Sequence, residues 1–199
     1  MKVVILCGGL GTRLSEETHL RPKPMVEIGG KPILWHILKT YENQGVNEFI
    51  LALGYKGDYI KDYFSNYSIR NSDFNINTLS NKLEAQSESK EDWNVSLIDT
   101  GLNTLTGGRL LRLRGLINET FMLTYGDGLC DVDLKSLIDF HKSHKKIATV
   151  TSVRPSARFG DLKIQDGKVI SFKEKPQSEE GWINGGYFIF EPEIFDYLN

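Results

Sequence analysis

Two cysteines, six prolines and four histidines among 199 residues leave little room for several kinds of chemistry. Two thiols build no disulfide framework, and Cys7 and Cys130 each fall in or beside an apparent buried element. A reducing cytoplasm is therefore the expected compartment. No apolar run approaches the length of a membrane span, and the opening MKVVILCGG lacks the cleavage-type sequel of a signal peptide. Neither membrane insertion nor export is expected. Charge of one sign is also missing: 24 basic residues face 26 acidic ones, and the Lys and Arg are scattered. A nucleic-acid partner, which needs a basic face, is not expected.

What is present is a chain that is 40% hydrophobic, enough for one well-buried domain over residues 1–199. Lys2 to Cys7 (KVVILC) is a nearly continuous apolar run rich in β-branched residues, the pattern of a strand covered on both faces. Pro32 then opens a helix with Ile33, Leu34, Ile37, Leu38 and Tyr41 on one stripe and Gly45 as its stop. Glu48 to Leu53 reads as a second buried strand. Asp58 reads as the cap of a helix with Ile60, Tyr63, Phe64 and Tyr67 on one face. Residues 68–93 are polar, lack Gly and Pro, and are expected to form a partly ordered excursion from the core.

Further strands are expected at 95–99, 121–125, 148–153 and 186–190, with helices at 108–116 and 133–144 and a last helix opening at Pro192. Asp166-Gly167, between 161–165 and 168–172, is the strongest hairpin signal in the chain. Strands alternating with amphipathic helices predict an α/β fold, a Rossmann-like three-layer sandwich around a mostly parallel, mixed β-sheet. Ligands of such sheets bind beyond the carboxyl ends of the strands. Gly8-Gly9 and Gly126-Asp127 both fall at such ends.

Gly8-Gly9-Leu10-Gly11-Thr12-Arg13 invites three readings. A dinucleotide fingerprint would need a glycine where Leu14 stands, and an acidic residue closing the next strand, which instead ends Leu53-Gly54. A P-loop needs Lys followed by Ser or Thr, and the two Gly-Lys pairs continue with Pro32 and Val169. A bare strand-to-helix turn would explain the glycines alone. It does not explain Arg13 and, some ten residues on, a lysine held between Pro22 and Pro24. Glycine backbone N–H groups flanked by two cations form a phosphate-binding arrangement.

GGLGTRL followed by PKPM resembles the signature of the sugar-phosphate nucleotidyltransferases, the NDP-sugar pyrophosphorylases. WNVSLIDTG, TGGRL, TYGDG, RFGDLKI and INGGYF extend that resemblance, in order, over nearly the whole chain apart from the polar excursion. It implies the nucleotide-diphospho-sugar transferase fold and a homo-oligomeric enzyme. In that family a sugar 1-phosphate attacks the α-phosphate of a nucleoside triphosphate in line and expels pyrophosphate. The longer blocks imply CTP and glucose 1-phosphate as the substrates. Uridylyl, thymidylyl or guanylyl transfer, or a non-catalytic nucleotide-sugar-binding module, are the alternatives.

By the same resemblance Arg13, Lys23 and Asp127 are catalytic. Arg13 contacts the triphosphate and orients the leaving pyrophosphate, Lys23 binds phosphate near the reacting centre, and Asp127 holds Mg2+. Leu6, Gly8, Gly9, Gly11 and Thr12 frame the base and phosphates, joined by Thr104, Thr106, Gly107, Arg109 and Gly126. Gly160, Glu174, Lys175, Asn184 and Gly185 supply the sugar-phosphate side together with Lys23. Read without the resemblance, Arg109 is a solvated residue at a helix start, Asp127 an ordinary Asp-Gly turn, and 173–175 a solvated strand edge. The resemblance also implies a second metal-binding aspartate beyond the Pro192 helix. The sequence ends at Asn199 without it, so a fragment or a naturally shortened chain is expected. His141 and His144 lack a third ligand and read as a solvated helix face rather than a zinc site. Asp133 reads as a helix cap and Cys7 as an inert buried thiol.

Overall fold

A computed structural model describes residues 1–10, 20–86, 90–154, 161–173 and 181–198. The first strand, β1 (Val3–Leu6), has Val3, Val4 and Ile5 fully buried, as a run covered on both faces requires. A 3-10 turn at Lys23–Met25 follows, then the two-residue strands β2 (Glu27–Ile28) and β3 (Lys31–Pro32), which pair antiparallel. Helix α1 (Ile33–Glu42) buries Leu34, Ile37, Leu38 and Tyr41, and Gly45 (φ 82°) ends the segment. Pro32 stands at the N-cap position rather than inside the helix.

Strand β4 (Glu48–Leu53) leads to α2 (Gly57–Ser65), entered through Lys56 in the left-handed region. Asp58 sits in its first turn rather than capping it, because the tight entry at Lys56 takes the cap position. Tyr67 belongs to a separate short helix, α3 (Tyr67–Asn71), and stacks on Phe64 across the break. The polar excursion is more regular than expected. It holds the hairpin β5 (Phe74–Asn77) and β6 (Lys82–Ala85), and every residue of β5 is exposed.

Next come β7 (Asn94–Asp99), α4 (Thr106–Leu111), a 3-10 turn at Arg114–Leu116, and β8 (Phe121–Tyr125). Helix α5 (Leu134–His144) is capped by Asp133, whose carboxylate accepts from the backbone N–H groups of Lys135 and Ser136. Strand β9 (Ala148–Val153) precedes the hairpin β10 (Asp161–Gln165) and β11 (Lys168–Lys173). Asp166 and Gly167 both have positive φ at its tip, as the favoured two-residue turn demands. Strand β12 (Ile183–Phe190) begins three residues earlier than expected, and Pro192–Tyr197 forms a 3-10 turn rather than an α-helix.

Six strands form one sheet in the order β7-β4-β1-β8-β12-β9. β1 runs parallel to β4 and β8, and β4 to β7, whereas β12 runs antiparallel to both of its neighbours. The sheet is thus mostly parallel and mixed, as the alternation of elements predicts. Alternate residues feed two cores: Val3 and Ile5 join α1 and α2, while Val4 joins Leu110, Phe121 and Phe195 on the other face. Helices and turns therefore cover both faces, giving three layers.

The expectation of a solvated His141–His144 face is corrected. His141 is only 2% exposed; its ring nitrogens meet Thr149 Oγ1 at 2.6 Å and Glu191 Oε1 at 3.1 Å. His144 Nε2 reaches the same threonine at 2.7 Å. Polar atoms on a buried helix face call for partners, and these histidines find theirs in Thr149 of β9 and in Glu191 just after β12.

Candidate functional site

The carboxyl ends of β1 and β8 and the loop before α4 surround a cavity of about 570 Å³. That is within the size range of small-molecule sites. Its floor is the chain leaving β1, where Cys7 N–H donates to the Ala52 carbonyl and the Gly8 carbonyl accepts from Tyr55 N–H, anchoring the glycine turn to the end of β4. Gly126 is required where β8 ends: a Cβ there would come within 2.9 Å of the Leu6 carbonyl and 3.0 Å of Cys7 Sγ. Two strand ends can approach this closely only without a side chain.

Lys23 reaches the cavity from its 3-10 turn, with the buried Pro24 and Met25 fixing the backbone behind it. Its Nζ lies 3.5 Å from Asp127 Oδ2. The lysine side chain is 16% exposed and the carboxylate 45%, so the pair closes one rim while Asp127 keeps an open side. The two residues are 104 positions apart in sequence, and the fold brings the turn at Lys23 against the end of β8.

The opposite wall comes from the loop 102–105 and the start of α4. Thr104, Thr106 and Arg109 line the cavity. Arg109 is not a solvated residue at a helix start: it is 4% exposed. Its Nη1 donates to the Leu53 carbonyl (2.9 Å), Thr100 Oγ1 (2.8 Å) and the Gly101 carbonyl (2.7 Å). Its Nη2 donates to the Gly8 carbonyl (2.8 Å) and the Leu102 carbonyl (3.1 Å). Burial, reinforced by the neighbouring Arg112, lowers its pKa from the usual arginine value, yet a guanidinium stays charged at neutral pH. Gly107 does not line the cavity; it turns toward Leu198.

Cys7 also faces the cavity but is 1% exposed. Burial, and then the nearby Asp127 carboxylate, push its thiol far above the ordinary cysteine range. A buried thiol held protonated is a poor nucleophile. Among the described residues no cluster of three or more His, Cys, Asp or Glu is placed to hold a metal ion. Asp131 is exposed and Asp133 is occupied by its helix cap, which leaves Asp127, among the described residues, as the carboxylate on the cavity.

Asn184 and Gly185 lie in a bulged stretch of β12, where the register shifts between Asn184 and Phe188. Asn184 connects to the cavity through Tyr125, donating from Nδ2 to the Tyr125 hydroxyl at 3.1 Å. Gly185 packs against Thr151 and Val153 of β9. Gly11, Thr12, Arg13, Gly160, Glu174 and Lys175 lie outside the described residues. Sequence reasoning did not single out Tyr125, which lines the cavity one residue before Gly126. Its place as the last residue of a buried strand was the available signal. It also passed over Thr100, which no local pattern marks.

A family model described as nucleotidyl transferase matches residues 2–199. The chain is 53% identical over 201 residues to a glucose-1-phosphate cytidylyltransferase of Salmonella typhi, covering all of this chain and 78% of that protein. It is 48% identical to a probable glucose-1-phosphate cytidylyltransferase of Bacillus subtilis, again over all of this chain and 78% of the relative. Among solved structures, HddC from Yersinia pseudotuberculosis complexed with GMP-PN superposes with a TM-score of 0.64 at 33% identity, covering 98% of this chain and 78% of that one. A match over almost every residue, on a mixed sheet with a glycine-floored cavity at its strand ends, leaves one assignment: the chain belongs to the nucleotidyl transferase family.

Proposed function

We propose that the chain joins glucose 1-phosphate to CTP, releasing pyrophosphate and giving CDP-glucose. The observation that carries this reading is Lys23 facing Asp127 at 3.5 Å on the rim of a cavity floored by Gly8 and Gly9. The base and the sugar come from the names of the relatives at 53% and 48% identity.

The nucleophile of such a reaction is an oxygen of the sugar phosphate, and the bond that breaks joins the α- and β-phosphates. No protein nucleophile is needed, so the chain contributes position and charge. The Lys23 ammonium, largely withdrawn from water, offsets negative charge on the transferring phosphoryl group more effectively than a solvated lysine would. Gly9, with open space where a side chain would stand, lets base and phosphates approach the main chain closely. Arg13 orients the departing pyrophosphate, and Glu174, Lys175, Gly160, Asn184 and Gly185 form the sugar side. Tyr125 links Asn184 to the nucleotide cavity.

Asp127 suits Mg2+: it is a hard oxygen donor, half open to the cavity, and this ion takes one or two carboxylates with water and substrate phosphates completing its shell. Bound there, Mg2+ would supply charge neutralisation to the phosphates. The reading carries with it a cytoplasmic homo-oligomer. Pyrophosphate release measured with CTP, UTP, dTTP and GTP in the presence of glucose 1-phosphate tests it. CTP is expected to give the highest kcat/KM. A preference for another triphosphate overturns the base assignment, and triphosphate binding without any turnover overturns the enzymatic reading.

A further inference from the structure

The guanidinium of Arg109 gathers five acceptors from three separate segments: Gly8 after β1, Leu53 at the end of β4, and Thr100, Gly101 and Leu102 after β7. Among the described residues no carboxylate forms an ion pair with it. Its partners are carbonyls and one hydroxyl. Thr100 in turn donates its own hydroxyl to the Leu53 carbonyl at 2.6 Å, and Arg112 donates to the Thr100 carbonyl at 2.6 Å. The glycine floor and the 102–105 wall of the cavity are thus tied to the β4 end through one planar cation, whose fork geometry serves several acceptors at once.

Two glycines make room for it. A Cβ added at Gly8 would fall on the Arg109 guanidinium, and so would one added at Gly54. Gly54 does not line the cavity, and its φ lies outside the left-handed range. Its lack of a side chain is explained by the space that the guanidinium occupies.

We infer that Arg109 is a positioning residue, a strut that sets the distance between the Gly8–Gly9 floor and the 102–105 wall, and that Gly54 belongs to the triphosphate site without touching it. The inference rests on reading the cavity as the nucleotide site. Gly54→Ala displaces the strut, and a displacement of about 1 Å at a reacting site costs on the order of 10²-fold. Residues sharing one contact are non-additive. Once Arg109 is gone, a methyl at position 54 no longer meets the guanidinium atoms that are its three nearest neighbours.

The test is a double-mutant cycle on the full chain with Gly54→Ala, Arg109→Ala and their combination. It measures KM and Kd for whichever of the four triphosphates wild type prefers, KM for the sugar 1-phosphate, and melting temperature. Gly54→Ala alone is expected to raise the triphosphate KM and Kd at least tenfold while leaving the sugar-phosphate KM within about twofold. In the Arg109→Ala background the same change is expected to alter triphosphate Kd by less than about twofold. Arg109→Lys, which keeps the charge but loses the fork, is expected to resemble Arg109→Ala in triphosphate Kd; it carries the test where Arg109→Ala does not fold. Independent effects of the two sites overturn the inference. So does a Gly54→Ala protein that melts lower but binds triphosphate normally, or an Arg109→Lys protein with wild-type Kd. Because Kd is read without turnover, failure of CTP as substrate overturns the proposed reaction and leaves the coupling to be decided separately.

Discussion

Lys23 and Asp127 face each other across the rim of the cavity, Nζ to Oδ2 at 3.5 Å, one from a proline-framed turn and the other from the end of β8. At that distance the pair is an ion pair, and Asp127, 45% exposed, keeps a side open to the cavity. Substrate phosphates entering the cavity would meet the Lys23 ammonium, and Asp127 would be the residue to hold Mg2+. Lys23→Met is expected to lower kcat by roughly 10²–10³, the effect of removing one preorganised contact to the transferring group. Steady-state pyrophosphate release checks it; a loss below tenfold would place Lys23 outside the reacting centre.

Chelation distinguishes the carboxylate's role. Excess EDTA is expected to abolish turnover, and added Mg2+ to restore it. Asp127→Asn is expected to need at least tenfold more Mg2+ for half-maximal rate, since the amide keeps the shape and loses the charge. An unchanged Mg2+ dependence would remove Asp127 as a ligand.

Phe195 lies in the last 3-10 turn, 2% exposed, and stacks on Phe121 at 5.8 Å between ring centroids. Phe195→Ala is expected to destabilise the fold by about 3–5 kcal/mol through lost burial and the cavity left behind. Urea denaturation followed by fluorescence gives the value. A cost under 1 kcal/mol would mean that this turn is not part of the second core.

The two thiols should differ sharply. Burial, then Asp127, raise the Cys7 pKa, so its reactive thiolate is nearly absent at pH 8. Iodoacetamide is expected to label the partly exposed Cys130 in the native protein, and Cys7 only after unfolding. Peptide mass spectrometry reads both sites directly.

Asp133 caps α5, and the Ser136 hydroxyl, followed by the Ser136 backbone N–H, holds its carboxyl below the usual aspartate pKa. The sign follows from a depressed folded value: the carboxylate's stabilisation is complete above the unfolded aspartate pKa of about 3.9 and is lost as pH falls through the lower folded one. Asp133→Ala is therefore expected to melt below wild type at pH 7, with the gap closing on acidification below about pH 4. A gap independent of pH would assign the loss to something other than the charged cap.

The regular elements were legible because their patterns are local. KVVILC can only be a strand buried on both faces, the stripe from Leu34 to Tyr41 only a helix packed on one side, and Asp166-Gly167 only a tight turn. The Gly8–Gly9 floor, Lys23 and Asp127 were legible through motif and resemblance, and the cavity gathers them. The histidines on α5 were misread because periodicity shows which face is apolar but not that β9 arrives with Thr149 to pair with them. Tyr67 was assigned to α2 because the break after Ser65 is a matter of packing, not of composition.

By itself, the sequence determined the α/β alternation, the glycine turn at a strand end and the family, since each is built from motifs that are local in sequence. Tertiary structure alone decided how Arg109 is used. Its acceptors at positions 8, 53, 100, 101 and 102 belong to segments up to 101 residues away, and no local pattern records that three strand ends converge on one guanidinium. A buried cation must find hydrogen-bond partners wherever the fold supplies them, and here the fold supplies them where the ends of β1, β4 and β7 converge.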